Sequence, residues 1–292
     1  MSADRHQAPA GRSLGGIDVG GTKIAAYLFA PDGTIAWTET VPTPGEYGAL
    51  RGVLTDVISR MRAEGGAGMP VGLGLPGRID RATGAVRAAN MPLNGEALAT
   101  DLPDGVLLLN DVRAFALGEA DGAGSLVALS IGTGVAAAAL PSDAHSGAGG
   151  ELGHLPLPSP LVSDRGLPLI ACPCGRRGCY ETLLAGPGFS RLAAHHGLGA
   201  LSPEEAAKTD RVMEDWLAIA AQLLVLIQHS YDPREVVLGG SVARIPDLLP
   251  RLIAAFDAVR WYDLPAPSLR LSADPRLAAA RGAARAAAEA FA

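Results

Sequence analysis

The sequence predicts an α/β protein made of two related domains with a cleft between them. Three observations carry this expectation. Short apolar runs ending in glycine-rich turns recur in both halves of the chain. Each half opens on closely spaced strand patterns and continues into helix–strand units. A length of 292 residues suffices for two domains of ordinary size.

The first half begins with the apolar run Leu14–Val19, which ends in Gly20-Gly21, and Ile24–Phe29 follows it. These read as antiparallel strands joined by a tight turn, with Pro31-Asp32-Gly33 as the next turn and Ile35–Thr40 as a third strand. Leu50, Val53, Leu54, Val57, Ile58 and Met61 recur at helical spacing within Tyr47–Arg62. Val71–Leu75 is a buried strand stopped by Pro76-Gly77. Val106–Leu109 is another, delivering Asn110-Asp111 at its carboxyl end before a helix over Ala114–Glu119.

The second half repeats the pattern. Leu126–Ile131 is a strand ending in Gly132-Thr133-Gly134, and Val135–Leu140 is its hairpin partner. Arg211–Tyr231 is a long, largely buried helix. Glu235–Leu238 is a strand running into Gly239-Gly240-Ser241, and Asp247–Phe256 is helical. Arg276–Phe291 is an Ala-rich closing helix. The expected domains are 14–112 with 276–292, and 113–275, after a polar tail over residues 1–13. Ligands of such sheets bind beyond the carboxyl ends of the strands, where all these turns fall.

Composition narrows the partners. Apolar residues make up 48% and charged residues 18%, which excludes a disordered chain. A formal charge of -6 with no basic block argues against nucleic acid. Residues 1–13 lack an apolar h-region, and the apolar stretch Trp216–Ile227 is too short to span a bilayer. Three cysteines crowded into one segment make no disulfide framework, so a reducing cytoplasm is expected.

Chemistry is legible at four places. Without a Cβ, the Gly20-Gly21-Thr22 turn lets backbone amides approach phosphate oxygens, and Thr22 and Lys23 add a hydroxyl and a charge. A plain hairpin turn would look the same alone; the matching Gly132-Thr133-Gly134 and Gly239-Gly240 turns favour phosphate. Asp18 is placed to hold Mg²⁺ through oxygen. Asp111 is either a base accepting a hydroxyl proton or a helix N-cap, while Asn110 offers a donor and an acceptor to a hydroxyl. Glu151, His154 and Glu181 suit vicinal sugar hydroxyls. Cys172, Cys174 and Cys179 with His154 complete a closed tetrahedral set for a structural Zn²⁺, leaving the second His154 nitrogen for substrate. A phosphate clamp, a base and a polar pocket imply a kinase for a small polyol. Other groups read as bland: His195-His196 as a solvated helix end, His145 in a loop, His229 as packed, and Asp56, Asp101 and Asp121 as surface charges.

On these motifs the chain resembles the ROK family of sugar kinases, within the actin-like ATPase and hexokinase superfamily, from Leu14 to the C-terminus. The cysteine signature is the most specific mark. The segments Ala88-Ala89-Asn90-Met91-Pro92-Leu93-Asn94-Gly95, Asn110–Glu119 and Gly186-Pro187-Gly188-Phe189 are most similar to the bacterial N-acetylglucosamine kinase and fructokinase branch. The resemblance implies two actin-like ATPase (ribonuclease H-like) domains, ATP and Mg²⁺, and a homodimer formed through the larger domain. It implies that the first two glycine turns hold phosphates and that the third borders the adenosine. Asp111 becomes the base, and Glu151, His154 and Glu181 become sugar ligands near Gly77, Asn90 and Asn110. Arg78 occupies a place where amino-sugar kinases of the family carry a pocket arginine.

The implied reaction is phosphorylation of the 6-hydroxyl of a hexose or N-acetylhexosamine. N-acetylglucosamine comes first, with fructose, glucose and N-acetylmannosamine as alternatives, and polyphosphate as an alternative donor. A non-catalytic sugar binder and a DNA-binding repressor are the readings from other classes. The chain departs from the family in Ala136–Ala139, where relatives carry glycines, in a shortened loop over Pro141–Gly147, and in Arg113. These changes put catalytic efficiency in question more than fold.

Overall fold

The computed structural model describes residues 11–80, 82–88, 91–122, 124–140, 148–261 and 263–292. Asn90, His145, the 141–147 loop and the tail up to residue 10 lie outside them. Two compact units emerge, Met1–Ala123 with Asp274–Ala292, and Gly124–Ala273. The division comes after residue 123 rather than 112, because the helix over Asp111–Glu119 packs on the C-terminal helix and stays with the first unit.

In the first unit β1 (Leu14–Val19), β2 (Lys23–Phe29) and β3 (Ile35–Pro42) form an antiparallel meander. β4 (Val71–Leu75) and β7 (Val106–Asn110) add in parallel, giving the order β3-β2-β1-β4-β7. A short hairpin, β5 (Arg78–Ile79) and β6 (Val86–Arg87), and the single turn α2 (Leu98–Asp101) lie between β4 and β7. Helix α1 (Tyr47–Gly65) buries Leu50, Leu54, Val57, Ile58 and Met61 against Ile17, Ile24, Val71 and Leu73. Those five side chains recur at three- and four-residue steps, which is why this segment is helical and this face is inside.

The C-terminal helix α10 (Pro275–Ala290) packs on β1 and β4 and also touches α3 (Asp111–Glu119). Its alanines let backbone meet backbone. A side chain at Gly16 would collide with the Ala280 carbonyl, and one at Gly72 with the Ala283 carbonyl. Asp274 caps the helix, its Oδ1 accepting from Arg276 N–H and Leu277 N–H at 3.1 Å each.

The second unit repeats the plan as β10-β9-β8-β11-β12. β8 (Leu126–Ile131) and β9 (Val135–Leu140) pair antiparallel, and β10 (Ala148–Gly150) extends the meander. β11 (Glu235–Gly239) and β12 (Ser268–Leu271) add in parallel. The alanine run is ordinary strand, with Ala137, Ala138 and Ala139 buried.

After a 3-10 turn at Leu152–His154 come α4 (Ser159–Arg165), α5 (Tyr180–Leu184), α6 (Gly186–His195), α7 (Pro203–Ala206), α8 (Asp210–Tyr231) and α9 (Leu248–Asp257). Trp216 of α8 anchors the core: it stacks on Phe189 of α6 at 5.4 Å, and its Nε1 donates to the Leu184 carbonyl at 2.9 Å. At 22 residues α8 is long and apolar enough to cross a membrane by length and composition, but 67% of the relevant window is buried in this unit.

Two histidines differ from expectation. His196 is not solvated: its Nε2 lies 2.8 Å from Asp215 Oδ2, inside the unit, while Arg165 Nη1 donates to Asp215 Oδ1 at 2.8 Å. A buried carboxylate needs such partners, and α8 supplies the carboxylate that α6 and α4 satisfy. His229, expected to be packed rather than catalytic, is exposed and leans on the exposed Trp261 ring at 5.4 Å.

Candidate functional site

In the first unit the chemistry gathers where β1, β4 and β7 end. The turn after β1 is closed by Gly20 N–H donating to the Lys23 carbonyl at 2.9 Å. Thr43 clasps it, its hydroxyl donating to the Gly20 carbonyl at 2.6 Å and its N–H to the Thr22 carbonyl at 3.1 Å. Gly21, Thr22 and Lys23 are exposed, and space is open where a Gly21 side chain would lie.

Asn110 and Asp111 turn out to have different local jobs. The cap of α3 is Asn110, whose Oδ1 accepts from Arg113 N–H at 3.1 Å while its Nδ2 donates to the Gly77 carbonyl at 3.0 Å. Asp111 is the first helical residue, with Val112 N–H donating to its Oδ1 at 2.7 Å. Gly77 itself has a structural reason: φ is 95° and a side chain would strike the Arg87 carbonyl. Arg78 is exposed on the β5–β6 hairpin.

Asp18 shares this strand end with Asp111. Burial pushes its carboxyl up to about 7, and the Asp111 and Asp274 charges push the same way, with Arg276 opposing them. Gly74 lies on the strand between β1 and β7; a Cβ there would stand 3.5 Å from Asp111 Cα, so residue 74 puts no side chain between the two strand ends.

In the second unit two turns meet at the carboxyl ends of the paired strands β8 and β11. Gly132 N–H donates to the Gly134 carbonyl at 2.9 Å, closing the first. In the second, Gly240 has φ 89°, and a side chain there would strike the Ile131 carbonyl. A Cβ at Gly132 would lie 3.6 Å from Ser241 N, which shows how near the turns are. Glu181, at the start of α5, reaches the first turn: Val135 N–H donates to its Oε2 at 3.1 Å.

His154 and the cysteines form one cluster, with all four ligand atoms within 4.8 Å of one another. Cys172 Sγ is 3.3 Å from His154 Nδ1, and Cys174 Sγ is 3.7 Å from Cys179 Sγ. Around a tetrahedral zinc, sulfurs stand about 3.8 Å apart and sulfur and nitrogen about 3.6 Å, so donor set and spacing fit that metal. The Arg176 amide draws the Cys174 thiol down, whereas burial pushes the Cys172 and Cys179 thiols up. A bound metal would hold all three as thiolates. The knuckle is folded by Cys172 N–H to the Arg176 carbonyl at 2.7 Å and Gly175 N–H to the Cys172 carbonyl at 3.0 Å. The outer His154 nitrogen, Nε2, lies 3.7 Å from Glu151 Oε2, and Glu151 is half exposed.

The first unit thus brings together Asp18, the Gly20–Lys23 turn, Gly77, Asn110 and Asp111. The second brings together Gly132–Gly134, Gly239, Gly240, Glu151, His154, Glu181 and the three cysteines. Sequence reasoning missed Thr43, Asp274 and Arg276. Asp274-Pro275 at the head of an Ala-rich helix was a readable capping signal; nothing local marked Thr43.

The ROK family model matches residues 14–290. Over 262 residues the chain is 34% identical to N-acetyl-D-glucosamine kinase of Escherichia coli O139:H28, covering 81% of this chain and 86% of that protein. The protein of the same name from Pectobacterium atrosepticum is 32% identical over 262 residues, with 80% and 85% covered. A ROK hexokinase from Thermus thermophilus superposes with TM-score 0.75 at 29% identity, over 93% of this chain and 97% of that one. The α/β fold is therefore that of the actin-like ATPase superfamily, as the motifs led us to expect. With a matching family model over nearly its whole length, and relatives a third identical, the chain belongs to the ROK family.

Proposed function

We propose that this chain is an ATP-dependent sugar kinase acting on the 6-hydroxyl of a hexose or N-acetylhexosamine, with N-acetylglucosamine as first choice. The carrying observation is the division of labour at the end of β7. Asn110 occupies the cap position of α3 and bonds Arg113 N–H, so Asp111 beside it is not the cap residue, although its Oδ1 also accepts from Val112 N–H. The relatives named N-acetyl-D-glucosamine kinase support both the reaction class and the first-choice sugar.

In the proposed reaction the sugar oxygen forms a bond to the γ-phosphorus as the bond to the β-γ bridging oxygen breaks. The hydroxyl proton passes to Asp111, and ADP leaves. Gly20, Gly21, Thr22 and Lys23, with Gly132, Thr133 and Gly134, receive phosphate oxygens, while Gly239 and Gly240 border the nucleoside. Asp18 would hold the Mg²⁺ of the Mg–ATP complex, directly or through water, and the ion would neutralise charge on the phosphates. Glu151, His154 and Glu181 are the sugar-hydroxyl ligands of the second unit; Gly77, Asn90 and Asn110 are those of the first, where Arg78 is the amino-sugar candidate.

Cys172, Cys174, Cys179 and His154 hold a structural Zn²⁺ that orients the histidine and places Glu181. A cytoplasmic homodimer completes the reading.

ATP consumption with Mg²⁺, measured across N-acetylglucosamine, N-acetylmannosamine, glucose, fructose and mannose, tests the proposal. Turnover fastest on N-acetylglucosamine, with a 6-phosphate product by NMR, is expected. Faster turnover on another of these sugars changes the substrate and keeps the class. Sugar binding by calorimetry without turnover on any of them contradicts the kinase.

A further inference from the structure

Glu181 belongs to two sets of neighbours at once. It follows Cys179 by two residues in the metal knuckle, and the buried ring of Tyr180 fixes the backbone beside it. Its side chain, however, reaches the glycine turn after β8, where Val135 N–H donates to Oε2 at 3.1 Å. A Cβ on Gly134 would stand 2.7 Å from that same oxygen. The following segment clasps the turn again, with Gly186 N–H donating to the Gly132 carbonyl at 2.7 Å. The carboxylate therefore braces one end of the Gly132-Thr133-Gly134 turn and the start of α6 braces the other.

We propose that Glu181 is a positioning residue that couples the two ligands: the carboxylate offered to the sugar also sets the shape of the turn offered to phosphate. This deepens the kinase reading and rests on it. A sugar hydroxyl bonded to Oε1 restricts the Glu181 side chain and holds Oε2 on Val135 N–H, a charge-assisted bond that orders the turn before nucleotide arrives. Linkage makes the effect reciprocal, so bound nucleotide raises sugar affinity by the same factor. The arrangement lies wholly within the second unit.

Gly134→Ala is the discriminating variant, because the backbone there is one that alanine adopts and the added methyl meets the Glu181 oxygen. Calorimetry would give the affinity for N-acetylglucosamine alone, for a non-hydrolysable ATP analogue with Mg²⁺ alone, and for each in the presence of the other. In the unmodified chain we expect a coupling factor of about 5 to 150. In G134A we expect sugar affinity without nucleotide to fall about tenfold, although the change is in a phosphate turn, and coupling to approach unity.

Glu181→Gln keeps a neutral acceptor for Val135 N–H, so analogue affinity measured without sugar should fall while part of the coupling survives. That second readout carries the test if thermal melting shows G134A unfolded, and an unchanged analogue affinity in E181Q then overturns the proposal. A folded G134A with unaltered sugar affinity and unaltered coupling overturns it too. Failure of the unmodified chain to bind either ligand is a different result: it removes the kinase reading, and this coupling with it.

Discussion

In the first unit α10 lies against the sheet so closely that the Ala280 and Ala283 carbonyls occupy the space of side chains at Gly16 and Gly72. In the second unit the equivalent sheet is covered by large interdigitating groups, Trp216 stacked on Phe189 among them, and the cysteine-bearing loop is gathered by a histidine–cysteine cluster. Both sheets have the same strand plan, so topology alone does not distinguish them. The difference is the means of bracing: absence of side chains in one, specific ligands and packing in the other. Error should then be punished differently, by an atom added beneath α10 in the first unit and by loss of a ligand at the cluster in the second.

The largest effect should come from Gly72→Ala. The methyl group has backbone on its far side and cannot be accommodated by a rotamer change, so we expect a loss of about 3 kcal/mol, read from denaturant unfolding. Near-normal stability would show that α10 can shift and would erase the contrast. Gly21→Ala, with open space around the added atom, should stay within about 0.5 kcal/mol.

Next comes the cluster. Stripping metal with a chelator, or Cys174→Ser, should weaken sugar binding about 10- to 100-fold and lower the melting temperature, because His154 and Glu181 lose their support. Full sugar affinity in a preparation shown to be metal-free by elemental analysis would refute the structural-zinc claim.

The prediction for Asp18 is read as a pH trend. Its carboxyl titrates at about 7 when folded, against about 4 in an unfolded chain. Between those values the folded chain keeps a proton that the unfolded chain has released. Stability attributable to Asp18 is therefore present at low pH and is lost as pH rises through the window. Asp18→Asn should flatten unfolding midpoints compared between about pH 5 and about pH 8. An equally steep trend in the variant would assign the slope to other groups.

Strands proved easy to read. Leu14–Val19, Val71–Leu75, Leu126–Ile131 and Val135–Leu140 have the bounds expected from their apolar runs and flanking turns. Helix α3 begins three residues earlier than expected, at Asp111 instead of Ala114, because an Asn cap permits a polar first turn that periodicity cannot register. His196 looked solvated because its partners, Arg165 and Asp215, come from other helices, and no local window joins them. The Ala-rich closing helix was recognised, but not why it is Ala-rich: its partners are glycines on strands far away in the chain.

At the candidate site the glycine turns and the metal set could be listed from spacing. The Glu181–Val135 bond and the surroundings of Asp18 could not, since both depend on backbone positions in three dimensions.

The role of Asp111 is tested most directly by Asp111→Asn, measuring phosphorylation of N-acetylglucosamine and calorimetric sugar affinity on the same preparation. Asparagine keeps the shape and removes the proton acceptor. The account predicts turnover reduced by about 10² to 10⁴ with sugar affinity changed little. Near-normal turnover would contradict it and remove Asp111 from the chemistry.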